Sequence, residues 1–253
     1  MTGSGDAVAV RHQPPHDDGP YWDAQIETLP VERRTILQDH RLHWQVRRCW
    51  DGSPFYRARF ESVGLTPATF RGLADLSRIP ILRTGELPHG ESADRPSREW
   101  TVAPDSWWQE IEAYDRSNVR VLTDGDVVQR AHQAARAIWA AGDRPGRTLA
   151  ALEGRSLGTS ALAIAPMGPA VAYACLEGAG YHWSDDQFLV EIVRPSDELP
   201  AEPGERGALV LTDLSREGSP LIRFWTGLEA DLIQEPCACG RTSSRSTTIR
   251  PLT

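Results

Sequence analysis

Lysine is missing from this chain. All 27 basic residues are arginine. A compact ammonium on a flexible stem is therefore unavailable for Schiff-base formation, for proton abstraction or as a point-charge clamp on phosphate. A basic surplus is missing too. The formal net charge is −8, which argues against a nucleic-acid partner and against docking on an anionic membrane surface. Long apolar runs are also lacking: no stretch reaches the roughly 18 residues that span a bilayer. Residues 1–20 are rich in Gly, Pro, His and Asp and hold no apolar signal-peptide core, so they read as a disordered tail. With no export signal, the expected compartment is a reducing cytoplasm. Cysteine is scarce, at four residues, and in that compartment the four read as thiols or metal ligands before disulfides.

What is present suits a globular chain with a real core. The 253 residues are 40% hydrophobic and 25% charged. Residues 31–50 read as a helix with Ile36, Leu37, Val46 and Cys49 on an apolar stripe. A short helix over 55–63 follows, then one opened by Thr66-Pro67 around Leu73 and Leu76, and a loop over 88–97. Trp107, Trp108 and Ile111 form an apolar cluster, and Asp126 caps a helix over 127–141. A short strand is expected over 149–151, and further strands over 188–193, 208–214, 221–225 and 230–233. The reading is α+β or α/β: a helical first half (21–165) and a small, mostly antiparallel sheet region (166–253) of the same domain.

Three stretches resemble the phenylacetate–CoA ligase family of the adenylate-forming superfamily. The first holds Gln38, Leu42, Ser53-Pro54-Phe55-Tyr56, Gly64-Leu65-Thr66-Pro67, Leu73-Ala74-Asp75-Leu76 and Ile79-Pro80. The second holds Gly168-Pro169, Cys175, His182, Asp185-Asp186, Glu191-Ile192 and Pro195. The third holds Gly204-Glu205, Leu209 to Thr212, Pro220 to Phe224, Thr226-Gly227 and Cys237-Ala238-Cys239-Gly240-Arg241-Thr242. The resemblance implies the frame of an adenylate-forming ligase's large N-terminal domain, in truncated form.

Against that family pattern the departures are specific. The glycine-rich phosphate loop corresponds to Asp115-Arg116-Ser117-Asn118-Val119, which has no glycine and carries an acid that repels phosphate. The long middle section is largely absent. The family's Tyr-Gly-x-x-Glu motif falls on Ala161 and Ala165, and its ribose-binding aspartate falls on Leu228, with Glu229 or Asp231 as substitutes if the strand register shifts. The C-terminal domain that carries the catalytic lysine is expected to be absent.

Cys175, His182, Cys237 and Cys239 make a C-x6-H pair and a C-x-C pair, the three-thiolate, one-imidazole mix that tetrahedral zinc takes. The alternative is a core thiol and a hydrogen-bonded histidine. Two thiols one residue apart argue against it, and the family resemblance implies the same zinc site. With four protein ligands the role would be structural. The remaining candidates read as ordinary: Cys49 a buried thiol, His132 a solvated or packed helix residue, His40 and His43 a polar helix face, His12 and His16 part of the tail, Asp185 and Asp186 a turn, Glu110 and Glu112 a helix edge, Arg241 and Arg245 surface ion pairs.

The expectation is a non-catalytic, zinc-binding remnant that serves as a binding or scaffold partner, with ATP and CoA not expected as cofactors. The alternative is an aryl–CoA ligase completed by a second chain or repurposed for other acid activation. Loss of the middle section should bare apolar surface, so self-association or a partner protein is expected, anchored by Trp107, Trp108 and Trp225.

Overall fold

The computed structural model describes residues 24–88, 102, 149–153, 160–164, 167–175, 177–216 and 220–252. Outside them lie the expected tail, most of the 88–97 loop, the Trp107–Trp108–Ile111 cluster with Glu110 and Glu112, the 115–119 stretch, the 127–141 helix with His132, and Ala165.

Helices come first. α1 (Ala24–Glu27) is a single turn, and α2 (Val31–Gly52) is the long element. α3 (Pro54–Glu61) starts where the Ser-Pro-Phe-Tyr motif directs. The Ser53 hydroxyl accepts from the Tyr56 N–H at 3.3 Å, and Pro54 fills the first helical position, where no N–H is required. The expected third helix is a 3-10 helix over Gly72–Arg78, followed by a shorter one over Thr84–Glu86. The stripe on α2 differs from the expected one. Leu42, Gln45, Val46 and Cys49 are buried at helical spacing, whereas Ile36 is 63% exposed. Ile36 and Val46 are ten residues apart, close to a quarter turn out of phase at 3.6 residues per turn.

Nine strands make two antiparallel sheets among the described residues. The first has the order β1 (Leu149–Glu153), β2 (Ser160–Ile164), β3 (Gly168–Ala174), β4 (Tyr181–Trp183), β8 (Arg245–Ser246). The second has the order β5 (Phe188–Val193), β6 (Gly207–Asp213), β7 (Phe224–Ala230), β9 (Ile249–Pro251). Two expected strands move. The 221–225 and 230–233 stretches become one strand, β7, and Ile233 keeps a single bridge to Arg245. The rule of alternation explains the shift. Phe224, Thr226, Leu228 and Ala230 are buried and the residues between them are half-buried, a period of two that begins at Phe224.

β6 is buried along its whole length because both its faces are covered. Leu209 and Leu211 join the main core with Leu42, Val46, Tyr56, Phe60, Trp183 and Phe224. Ala208 and Val210 point the other way, onto Ile81 and Val193. Helices and both sheets therefore share one core. Among the described residues no helix is long and apolar enough to cross a bilayer.

Two polar ties lock the helical part to the second sheet. The Tyr56 hydroxyl donates to the Pro220 carbonyl at 2.8 Å and accepts from the Ile222 N–H at 3.2 Å. Arg223, 3% exposed, donates to both oxygens of Glu191 at 2.9 and 3.0 Å and to the carbonyls of Ser77 (3.0 Å) and Ile79 (2.6 Å). Its backbone sits at φ +51°, a conformation uncommon for a residue with a Cβ. Leu82 brackets it, with its N–H on the Arg223 carbonyl and its carbonyl on the Trp225 N–H, both at 2.8 Å.

Burial pushes the Glu191 carboxyl pKa up while Arg223 pulls it down, so each of these charges depends on the other. Arg223→Met should cost about 3–5 kcal/mol in urea unfolding because it strands Glu191 in the interior. The double change Arg223→Met, Glu191→Met should recover most of that loss. A single-variant cost under about 1 kcal/mol would show that the pair does not hold the two halves together.

Candidate metal centre

Two hairpin-like segments bring the cysteine–histidine set together. Cys175 follows β3 directly; its N–H reaches the Gly180 carbonyl at 2.7 Å and its carbonyl takes the Gly178 N–H at 3.0 Å. That tight turn returns the chain into β4 and places His182 opposite Tyr173 on one side and Arg245 on the other. Gly180 is required here. Its φ is +92°, and a Cβ would collide with the Ser246 carbonyl of β8. The second segment is a knuckle. Gly240 donates to the Cys237 carbonyl and Cys237 to the Arg241 carbonyl, both at 2.9 Å, with Gly240 at φ +90°.

The four ligand atoms lie within 4.8 Å of one another, and such a group can hold a metal ion. Cys175 Sγ and Cys237 Sγ are 3.7 Å apart, and Cys239 Sγ is 3.3 Å from His182 Nε2. All the cysteines are free thiols. His182 is buried, and its Nδ1 faces the Ser243 carbonyl and hydroxyl, each at 3.2 Å. Nδ1–H donating to that carbonyl leaves the Nε2 lone pair directed at the sulfurs. Burial, with Arg241 and Arg245 nearby, holds the imidazole pKa below its ordinary value, so the ring is neutral near pH 7. Burial raises the Cys237 thiol. At Cys239 burial also raises the thiol, but the Arg241 backbone and guanidinium, with the neighbouring thiols, outweigh it and bring the pKa below the ordinary value.

Residues that read as ordinary in the sequence support this knuckle. Asp185 does lie in the turn before β5, and it is also buried. Its carboxylate accepts from the Ser244 N–H at 2.6 Å and hydroxyl at 2.7 Å, and pairs with Arg34 of α2 at 3.3 Å. Burial raises this carboxyl pKa against the pull of Arg34 and Ser244. Asp186 is paired with Arg41 at 3.3 Å. Arg241 is not a surface ion pair as expected: it is buried and meets Glu27 of α1 at 2.6 Å. Arg245 donates to the Glu235 carbonyl at 2.6 Å. A cavity of ≈ 140 Å³ lies between α1–α2 and this region, lined by Ile26, Tyr173, His182 and Asp185 among others.

Among the described residues, the remaining histidine and cysteine candidates stay apart from the tetrad. Cys49 is a buried thiol whose pKa burial pushes far up. His43 has its Nδ1 2.9 Å from the Asp39 carbonyl, and His40 is exposed on the same helix. Trp225, expected as a bare anchor, is half-buried with Arg83 stacked 4.9 Å above its ring.

Leu228 is fully buried in the main core. Glu229 is paired with Arg250 at 2.7 Å, and Asp231 caps the turn at Thr247 and Thr248 through bonds of 2.6–3.0 Å. Both carboxylates that sequence reasoning held as substitutes for the family's aspartate are thus engaged elsewhere. Ala161 lies on β2.

No family model matches the chain. It is 25% identical to a phenylacetate-coenzyme A ligase of Thermus thermophilus over 88% of this chain and 71% of that one. It is 24% identical to the Escherichia coli phenylacetate-coenzyme A ligase over 79% of this chain and 68% of that one. A crystal structure of 2-hydroxyisobutyryl-CoA ligase with 2-HIB-AMP and CoA superposes with TM-score 0.67 at 18% identity, covering 94% of this chain and 72% of that one. The fold is that of an adenylate-forming CoA ligase. In sequence the chain is similar to phenylacetate-coenzyme A ligases that are longer than it is. The Thermus alignment runs over 325 residues, more than this chain's 253, so the relative carries internal sequence that is missing here.

The two glycines in the Cys175–His182 turn separate steric from conformational cost. Gly178 has φ +71° and open space around it, so Gly178→Ala should cost about 1–2 kcal/mol of stability. Gly180→Ala should cost clearly more, because the new methyl meets β8 backbone. Equal losses in thermal melts of the two variants would contradict the packing of β4 against β8.

Proposed function

We propose that this chain is a non-catalytic relative of the phenylacetate–CoA ligases that holds one structural zinc ion and acts as a binding or scaffold partner. The observation that carries the first half is the fate of β7. Where the family places the aspartate that holds ribose hydroxyls, Leu228 is sealed in the core, and its two acidic neighbours are engaged with Arg250 and with a turn. Arg223 of the same motif spends its guanidinium on Glu191, Ser77 and Ile79. Adenylation requires donors and cations already aimed at the α-phosphate as charge shifts there. This chain has no lysine to contribute, and ATP and CoA are therefore not assigned to it.

Zinc suits the tetrad on donor chemistry and on size. With Zn–S bonds of about 2.3 Å, a tetrahedron has an S–S edge of about 3.8 Å. The Cys175–Cys237 separation of 3.7 Å fits that edge. A neutral imidazole with its far nitrogen anchored on a carbonyl is the second-shell arrangement zinc histidines adopt. Four protein ligands leave no open position for a water, so the role is to hold the knuckle to β3 and β4. A second copy or another protein is the proposed partner class, and α2 offers Ile36 (63% exposed) and Trp44 (41% exposed) as contact residues.

Purified protein should contain about one zinc per chain, and Cys239→Ser should release it and lower the melting temperature. Pyrophosphate exchange with ATP, magnesium and a panel of aryl and short-chain acids should stay at background. Robust exchange by the chain alone, abolished by Asp231→Ala, would establish the ligase reading instead. Exchange appearing only after a second protein is added would establish a ligase completed by a partner.

A further inference from the structure

A buried metal centre has to be balanced in charge as well as filled in coordination. Three thiolates and a neutral imidazole around a divalent ion carry a net charge of −1. Cys175, His182 and Cys237 are 7%, 1% and 8% exposed, so little of that charge is shared with water. An uncompensated charge at such a depth is costly. The cation at hand is Arg241, itself 6% exposed, with Nη1 at 3.9 Å from the Cys239 sulfur. Its Nε is held by Glu27 Oε2 at 2.6 Å. Arg245, across β4, directs its Nη1 to the Glu235 carbonyl at 2.6 Å. Asp185 is tied to Ser244 and Arg34 on the far side of the knuckle.

We infer that Arg241 is a positioning residue that sets the affinity of the tetrad for its metal through charge, and that Glu27 of α1 moderates it. The inference rests on the reading of the four residues as metal ligands. Arg241 places its guanidinium 3.9 Å from the Cys239 sulfur, where its positive charge offsets the net negative charge of the filled site. Glu27 fixes the guanidinium in that orientation and draws off part of its positive field. The two side chains therefore act on the metal with opposite sign, although both belong to one ion pair. The docking of α1 and the turn after it is carried separately by Thr242: its N–H donates to the Glu27 carbonyl at 3.0 Å, and its hydroxyl to the Leu29 carbonyl at 2.6 Å. Removal of the Glu27 charge leaves those bonds in place.

The sequence already contained the residues but not their relation. Arg241 follows the C-x-C pair by two positions, while Glu27 stands 214 residues away in the chain. Only the docking of α1 beside the knuckle reveals the pair.

The test is cobalt(II) affinity of the full chain, stripped of metal and titrated against a competing chelator, with the thiolate-to-cobalt absorption as readout. Arg241→Gln should raise the dissociation constant about 10- to 100-fold, the range typical of second-shell changes. Arg241→Lys, which keeps the charge and loses the fork, should fall between Arg241→Gln and the native chain. Glu27→Gln should bind as tightly as the native chain or more tightly, with the same spectrum. An Arg241→Gln affinity within about twofold of native overturns the inference. So does a Glu27→Gln chain that loses tenfold, since that would make the pair a structural clip; this arm stands even if Arg241→Gln does not fold. A native chain that binds no cobalt would sink the metal reading itself, a separate result from failure of the charge argument.

Discussion

Thiols do not gather without a reason. Cys175 and Cys237 are 62 residues apart in sequence, yet their sulfurs sit 3.7 Å from each other beside a histidine and a third cysteine. As thiolates they repel, and as buried thiols they form only weak hydrogen bonds. The arrangement is favourable when a cation sits among them, and much of the surrounding structure is arranged around that condition. The Gly180 turn sets β4 against β8, Ser243 orients the imidazole, Asp185 holds Ser244, and Arg241 lies 3.9 Å from the Cys239 sulfur. Through Arg34, Glu27 and Thr242 the same knuckle carries α1 and the start of α2.

A second constraint governs the other half of the molecule. Arg223 is too deep to be left short of acceptors, so Glu191 and two carbonyls of the 3-10 segment close around it. The family resemblance puts the ribose-binding aspartate at Leu228, in the stretch that follows Arg223. Here that stretch fastens the helical part onto β6 and β7, and Leu228 packs behind it. The residues that keep the frame closed remain, while Leu228 is buried and Glu229 and Asp231 are bonded to Arg250 and to the Thr247 turn.

Much of this was legible in the sequence where a motif has a local cause. The Ser53-Pro54 helix start, the long α2, the strands at 188–193 and 208–214 and the gathering of Cys175, His182, Cys237 and Cys239 follow from capping, period and ligand spacing. Errors came where a long-range contact decides. Ile36 has the right residue type for the α2 stripe but the wrong phase, and β7 begins at Phe224 because Arg223 turns into positive φ to meet Glu191. Arg241 and Asp185 carry no local signal that separates a support for the knuckle from a surface charge. Their partners, Glu27 and Arg34, come from the opposite end of the chain.

The central claim is that the four ligand atoms share one ion. X-ray absorption at the zinc edge of the purified chain tests it most directly. The expected result is a single four-coordinate shell of three sulfurs at about 2.3 Å and one nitrogen at about 2.0–2.1 Å. A shell of nitrogen and oxygen only, or no bound zinc in protein prepared without chelator, would contradict it.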